Sequence, residues 1–184
     1  MGEAQNRYFN ALYDVAKTVN STLDTDDVLS RVVRAAAEAT DSKGCSLMLL
    51  DVDKRCLVHS ACYGLSDQYL RKGEVMADRS LADALKGEPV AVSDVSNDPR
   101  IQYPVEAAEE GIGSLLCVPL AVRAKPIGVI RIYCSQKQDF PTDTVKLLTA
   151  IADLSAIAIE NSRAHDSLRK AYEVCQRELW HWQP

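Results

Sequence analysis

Apolar residues recur along this chain in two different rhythms, and the change of rhythm marks out its elements. Tyr8, Leu12, Val15 and Val19 follow one another at steps of four, three and four, which predicts an amphipathic helix from about Glu3 to Asn20. Val28, Leu29, Val32, Val33 and Ala36 repeat the pattern in a second helix. Asp24 or Thr25 can cap its start, Asp26 and Asp27 complement its positive end, and Asp41 and Gly44 mark its stop. Cys45 to Leu50 is almost continuously apolar, as a central strand covered on both faces should be. A charged turn, Asp51 to Arg55, leads to a second strand, Leu57 to Tyr63, whose alternation is less clean. Short helical turns are expected at Asp67–Lys72 and Ser80–Leu85, and a short strand from Pro89 to Val92.

The stretch Ser93–Arg100 is turn chemistry: Asp94, Asn97 and Asp98 can bond nearby amides, and Pro99 fixes its own φ. Pro104 opens a short helix that Gly111 and Gly113 close. Two apolar runs, Gly113–Val122 and Ile127–Cys134, flank the turn Arg123–Pro126. Pro119, which lacks a ladder donor, belongs at a bulge or an open edge. From Thr142 no Gly or Pro occurs until Pro184, so one helix of ~40 residues, about 60 Å long, is expected. Helix, helix, two strands, short helices, three strands and a long helix make a mixed α/β (α+β) domain with an antiparallel sheet. The regular strand–helix alternation of a parallel sheet is missing.

With 47% hydrophobic residues the chain can build a core, and a net charge of −5 without a basic cluster argues against a nucleic-acid partner. The first residues lack the basic-then-apolar pattern of a secretion leader, and no run reaches the ~18 apolar residues of a membrane span. Cysteines stand at 45, 56, 62, 117, 134 and 175 with no C-x-x-C pair. Reduced thiols in a cytoplasmic protein, without metal or membrane insertion, are the expectation.

Several segments in order resemble a GAF domain, the small-molecule-sensing relative of the PAS fold. They are CSLMLLD at Cys45–Asp51, ACYGL at Ala61–Leu65, GEPV at Gly87–Val90, SDVSNDPR at Ser93–Arg100, EGIGSLLCVPL at Glu110–Leu120, KPIGVIRIY at Lys125–Tyr133, and AIADLSAIAIENSR at Ala150–Arg163. The resemblance implies a GAF/PAS-like antiparallel sheet, with the amino- and carboxy-terminal helices on one face and loops and short helices on the other. It divides the chain into a dimerisation helix (1–21), the GAF domain (22–163) and a helical extension (164–184). A ligand cavity under residues 64–112 is implied, as are homodimerisation and a histidine kinase or other signalling protein as partner.

The cofactor remains unknown. The Asn-Lys-x-x-Phe-type motif of cyclic-nucleotide-binding members is absent, and His59, His165 and His181 lack the neighbouring cysteine that bilin attachment favours. For haem, His59 is the one candidate ligand, and a backbone-bonded strand histidine is the expected reading. Free methionine sulfoxide reductases use this fold with clustered loop cysteines, whereas Cys117 and Cys134 sit in predicted strands. No phosphate-loop, nucleophile-elbow or zinc-protease string occurs, and Asp94 and Asp98 read as turn caps, so no catalytic residue is assigned.

Arg131 interrupts Val129–Tyr133 and shares a strand face with Val129 and Tyr133, opposite Ile130 and Ile132. The isoleucines suit the helix-packed face, which turns Arg131 toward the loops, where a buried guanidinium needs a carboxylate or an anionic ligand. Tyr103, Ser114, Leu116, Arg131 and Tyr133 form the candidate ligand site. The expected function is a sensor module that binds a small ligand and transmits through the long helix. A ligand-free dimerising scaffold is the alternative, and a reductase of the methionine sulfoxide type the weaker one.

Homodimer contacts are expected at Tyr8, Leu12, Val15 and Val19. They are also expected along a heptad seam through 154, 158, 161 and 165 that continues as Leu168, Tyr172, Cys175, Leu179 and Trp182. Parallel pairing would set Cys175 against its twin.

Overall fold

The computed structural model describes residues 2–20, 24–79 and 82–180, with side chains as far as residue 176. Two helices open the chain, α1 (Gly2–Val19) and α2 (Thr25–Ala39). The choice of cap falls on Asp24, whose carboxylate accepts from the Asp26 and Asp27 amides at 3.1 and 3.3 Å. Strands β1 (Gly44–Leu50) and β2 (Cys56–Tyr63) follow, then α3 (Asp67–Leu70), β3 (Val75–Met76), a 3₁₀ turn at Ala82–Lys86, and β4 (Val90–Val92). The chain continues through α4 (Pro104–Glu109), β5 (Ser114–Val122) and β6 (Lys125–Cys134) into α5 (Thr142–Trp180).

The strands form one antiparallel sheet in the order β3-β2-β1-β6-β5-β4. The unexpected strand is β3. At two residues it carries no period, and it pairs Met76 with Cys56 and Val75 with Leu57. Pro119 lies beyond the last β4 partner of β5, Cys117, and one residue before a register shift at Leu120/Ala121, so it sits where a missing donor costs least.

That register shift decides which side chains share a face. The β5–β6 turn holds Arg123 and Ala124 at positive φ (49° and 62°), the geometry of a tight two-residue hairpin turn, and pairs Val122 with Lys125. Continued without interruption, this register would set Leu116 against Arg131 and Ser114 against Tyr133. The bulge moves the pairing by one, so Leu116 faces Ile132 and Cys117 faces Arg131. Gly128 stands where β6 crosses β1, and a Cβ there would lie 2.1 Å from the Met48 carbonyl oxygen.

On one face the helices cover the sheet. Cys45, Leu47, Leu116, Val118, Leu120, Ile130 and Ile132 pack with Ala11 and Val15 of α1, with the buried face of α2, and with Leu147, Leu148, Ile151 and Ile159 of α5. The α1 stripe is largely taken up here: Val15 is buried, while Tyr8, Leu12 and Val19 lie half-buried against the same core. The Tyr8 hydroxyl bonds Thr144 Oγ1 at 3.0 Å. Opposite lies a second apolar group, including Met48, Leu57, Tyr69, Val75, Val92, Val95, Leu115, Val129 and Tyr133, roofed by α3, β3, the 3₁₀ turn and α4.

The last helix outruns this body. Its final buried residue is Ile159, and every residue from Arg163 to Gln176 is exposed. Leu168 and Tyr172 of the expected seam are 72% and 64% exposed, and Leu154 and Ala158 pack partly on the core. Cys175 is exposed, the Leu179 side chain is beyond those described, and Trp182 lies outside the described residues. No helix among the described residues is long and apolar enough to cross a membrane.

Candidate functional site

Sheet register lines up one polar row across four strands on the loop-covered face. Cys62 of β2 pairs with Ser46 of β1, Ser46 with Arg131 of β6, and Arg131 with Cys117 of β5. Arg131 keeps 6% exposure and its Nε donates to Cys117 Sγ at 3.4 Å. Next to it on the same face, Tyr133 Oη and Ser46 Oγ bond at 2.9 Å. Burial pushes Tyr133 up to about 12.

A second bulge brings His59 into the group. Residues three apart in a regular strand point to opposite faces. Between Leu47 and Met48 the β1–β2 register skips Ser60, so Cys62 and His59 turn the same way. Cys62 Sγ then lies 3.3 Å from His59 Nδ1. Burial raises the Cys62 thiol to about 11, so it keeps its proton. An S–H donated to Nδ1 leaves the imidazole proton on Nε2. Among the described residues, Nε2 is buried with no hydrogen-bond partner, an omission that costs about 1–3 kcal/mol. The expectation of a backbone-bonded strand histidine is thus corrected. Burial, then Lys72 and then Arg131 lower the His59 pKa to about 4, so the ring is neutral.

Lys72 comes from the roof. Its Nζ stands 3.7 Å from the Tyr69 ring centre and 6.0 Å from that of Tyr103, and donates to the Tyr69 carbonyl at 3.0 Å. Burial first, then Arg131, draw its pKa down to about 8. Tyr69 meets Tyr133 edge-on, with ring centres 6.0 Å apart. Beyond Lys72 the backbone passes directly under Tyr103. Gly73 has φ +129°, and a Cβ there would sit 2.7 Å from the Tyr103 hydroxyl. Tyr103 Oη and Gln102 Nε2 both donate to the Glu74 carbonyl, at 2.7 and 2.9 Å, while Gln102 Oε1 accepts from the Met76 amide at 2.9 Å. The segment that carries Lys72 is therefore latched to the start of α4.

Of the five expected ligand residues, Arg131 and Tyr133 share the loop-covered face and Tyr103 stands at its roof. Ser114 and Leu116 are corrections. The bulge turns Leu116 into the helix-side core, and the Ser114 hydroxyl donates to the Gln136 carbonyl at 2.7 Å. Ser46, Cys62, Tyr69 and Lys72 were not anticipated, while His59 had been considered only as a haem ligand and Cys117 only as a strand thiol. The uneven alternation of Leu57–Tyr63 was the one sequence sign of the β2 bulge.

The loop after β4 is structural, as its composition suggested. Asp94 accepts from the Ser96 amide and hydroxyl, from Asn97 Nδ2 and from Lys137 Nζ at 2.8 Å, and these bonds, Lys137 foremost, hold its carboxyl well below the usual range. Asp98 is paired with Arg100. Among the described residues no group of three His, Cys, Asp or Glu side chains could hold a metal ion.

An antiparallel sheet with terminal helices on one face and short helices roofing a polar row on the other is the architecture of the GAF/PAS-like α+β class. The chain belongs to the GAF domain family, whose profile matches residues 22–160. A methyl sulfide methyltransferase-associated sensor of Methanosarcina acetivorans is 26% identical over 164 residues, which are 85% of this chain and 16% of that protein. This chain thus spans only a small part of that relative's length. The GAF domain of an Acinetobacter phosphoenolpyruvate-protein phosphotransferase superposes with a TM-score of 0.74 at 25% identity, covering 89% of this chain and 97% of that one. Free methionine-R-sulfoxide reductase from Neisseria meningitidis, in complex with its substrate, shares the fold with a TM-score of 0.73 at 22% identity, over 86% and 91% of the two chains.

Proposed function

We propose that this chain is the regulatory sensor module of a cytoplasmic signalling system, binding a small ligand beneath the roof and passing its occupancy to α5. One observation carries the reading: a single strand serves both faces. Arg131 and Tyr133 of β6 face the roofed polar row, while Ile130 and Ile132 between and beside them belong to the core that α5 helps to form. A ligand that shifts β6 by a fraction of an ångström disturbs packing at Ile151 and Ile159, because close-packed interiors transmit small displacements. The sensor described for the methanogen relative fits this reading. A reductase is disfavoured by the thiols, since burial pushes Cys117 and Cys62 up, away from the thiolate such chemistry uses.

Output runs through α5 to a histidine kinase or another signalling protein, and through a second copy of the chain. Leu168, Tyr172 and Val174 expose apolar surface on a stretch of helix where every described side chain from Arg163 to Gln176 is exposed. In a parallel pair each Cys175 faces its twin. Mild oxidation of the purified chain is expected to give a covalent dimer that Cys175→Ser abolishes, read on a non-reducing gel. A dimer that persists in that variant refutes parallel pairing. A thermal-shift screen against metabolites is expected to yield a stabilising compound. If none raises Tm, the chain is a dimerising scaffold.

A further inference from the structure

Six strands in one row leave two edges, and one short stretch of chain ties them together. The sheet ends in β3 on one side and in β4 on the other, each with main-chain groups that no further strand meets. Side chains from Arg100 to Tyr103 reach both. Gln102 lies against β3 as a neighbouring strand would: its Nε2 donates to the carbonyl of Glu74, just before the strand, and its Oε1 accepts from the Met76 amide, each at 2.9 Å. Tyr103 Oη is a second donor to Glu74, at 2.7 Å. At the other end Arg100 Nη2 donates to the Ala91 carbonyl of β4 at 3.3 Å, and Asp98 Oδ1 steadies the same guanidinium, 2.9 Å from Nε. Ile101 between them packs on the roofed apolar group, to which β3 gives Val75 and β4 gives Val90. Pro99 and Pro104 bound the stretch and fix their own φ on either side of it.

Resting on the sensor reading for what passes through it, we propose that Arg100–Tyr103 is a clasp across the gap between the two sheet edges, and that its release opens the way to the polar row. Its residues are half-buried or exposed, so water competes for every bond it makes to the edges. The other fastening of the roof is better shielded. Glu110, whose side chain keeps 7% exposure, accepts from the Ser66 amide and hydroxyl and pairs with Lys43 at 3.5 Å. That fastening joins the far end of α4 to α3 and stays closed when the clasp parts, so opening is a local swing and not the loss of the roof. Cys117 stands just inside, on the roofed face, paired in register with Val90 of β4.

The test labels the thiols of the full chain with methyl methanethiosulfonate under native conditions at one pH, and follows each by peptide mass. Cys117 on the roofed face and Cys45 on the helix face are both fully buried, so each reacts only when its own face opens. Gln102→Ala removes two edge bonds and is expected to speed the labelling of Cys117 by roughly ten- to hundredfold while Cys45 keeps its rate. Arg100→Ala, which releases the β4 end, and Tyr103→Phe, which keeps the ring, are each expected to give roughly three- to tenfold. Tyr103→Phe carries the comparison if Gln102→Ala does not fold. Variants that speed both thiols alike have loosened the whole fold and overturn the clasp, as do variants that leave Cys117 at its original rate. Labelling needs no ligand, so its failure leaves the sensor reading standing. A metabolite screen in which nothing raises Tm removes the sensor reading, and a selective gain at Cys117 still upholds the clasp.

Discussion

The two faces of this sheet are made from the same strands and differ in almost every other respect. Toward the helices the strands present an unbroken apolar surface, from Cys45 and Leu47 through Ile130 and Ile132 to Leu116, Val118 and Leu120. Toward the roof they present apolar residues divided by Cys62, Ser46, Arg131 and Cys117, with His59 Nε2 lacking a partner among the described residues. The helix face spends its residues on burial, which is worth about 1.5–3 kcal/mol for each large side chain removed from water. The roofed face carries desolvated polar groups that a core built for stability alone would not contain. A polar row retained at such a cost is where binding is to be sought.

Several substitutions would break or sharpen this contrast. The largest effect belongs to the helix face: Ile132→Ala is expected to lower unfolding free energy by about 2–5 kcal/mol in a denaturant titration, through the cavity it leaves. Next comes acid. His59 has a folded-state pKa of about 4 against 6.5 unfolded, so below pH 6.5 the unfolded chain binds the proton more readily. Stability from this residue is intact above pH 6.5 and is lost as pH falls toward 4, on the order of 2 kcal/mol after allowance for its partial exposure. His59→Leu should flatten that limb of the stability–pH curve, and an unchanged limb would show that the ring is solvated.

Arg131→Met should lower stability by no more than about 1.5 kcal/mol, because the lost hydrogen bond to Cys117 Sγ is partly offset by relief of the cost of burying a guanidinium. A loss as large as that of Ile132→Ala would make the row a structural device, and the distinction between the faces would fail. Smallest of all, Tyr172→Ser should move the unfolding free energy of the monomer by less than about 0.5 kcal/mol, since its surroundings are solvent. The same change should weaken self-association in sedimentation, where a purely intrachain role would leave the mass distribution unaltered.

Much of the fold could be read from residue order, because helices and central strands advertise themselves by period. The capped start of α2, the continuous β1 and the uninterrupted α5 all stand where the pattern put them. Arg131 was legible for the same reason, as a charge inside an apolar run. Its neighbours were not. Which side of a strand faces which way depends on register, and each of two bulges adds a single residue that inverts everything beyond it. The shift at Leu120/Ala121 exchanged Leu116 for Cys117, and the one beside Ser60 joined His59 to Cys62. Lys72 and Tyr69 reach the row from a four-residue helix and its exit, too short to carry any periodic signal.

The length of α5 has a mechanical consequence. The helix is gripped as far as Ile159 and exposed from Arg163 to Gln176. From Arg163 to Trp180 the helix measures about 26 Å at 1.5 Å per residue. It is a lever whose fulcrum lies at the rim of the sheet. A tilt of roughly 10° at the fulcrum, from sub-ångström repacking around Ile151 and Ile159, sweeps the far end through about 4–5 Å, close to one helical turn. On the transmission proposed above, motion too small to alter the fold of the body would be geared up to the scale at which one helix changes its neighbours on another.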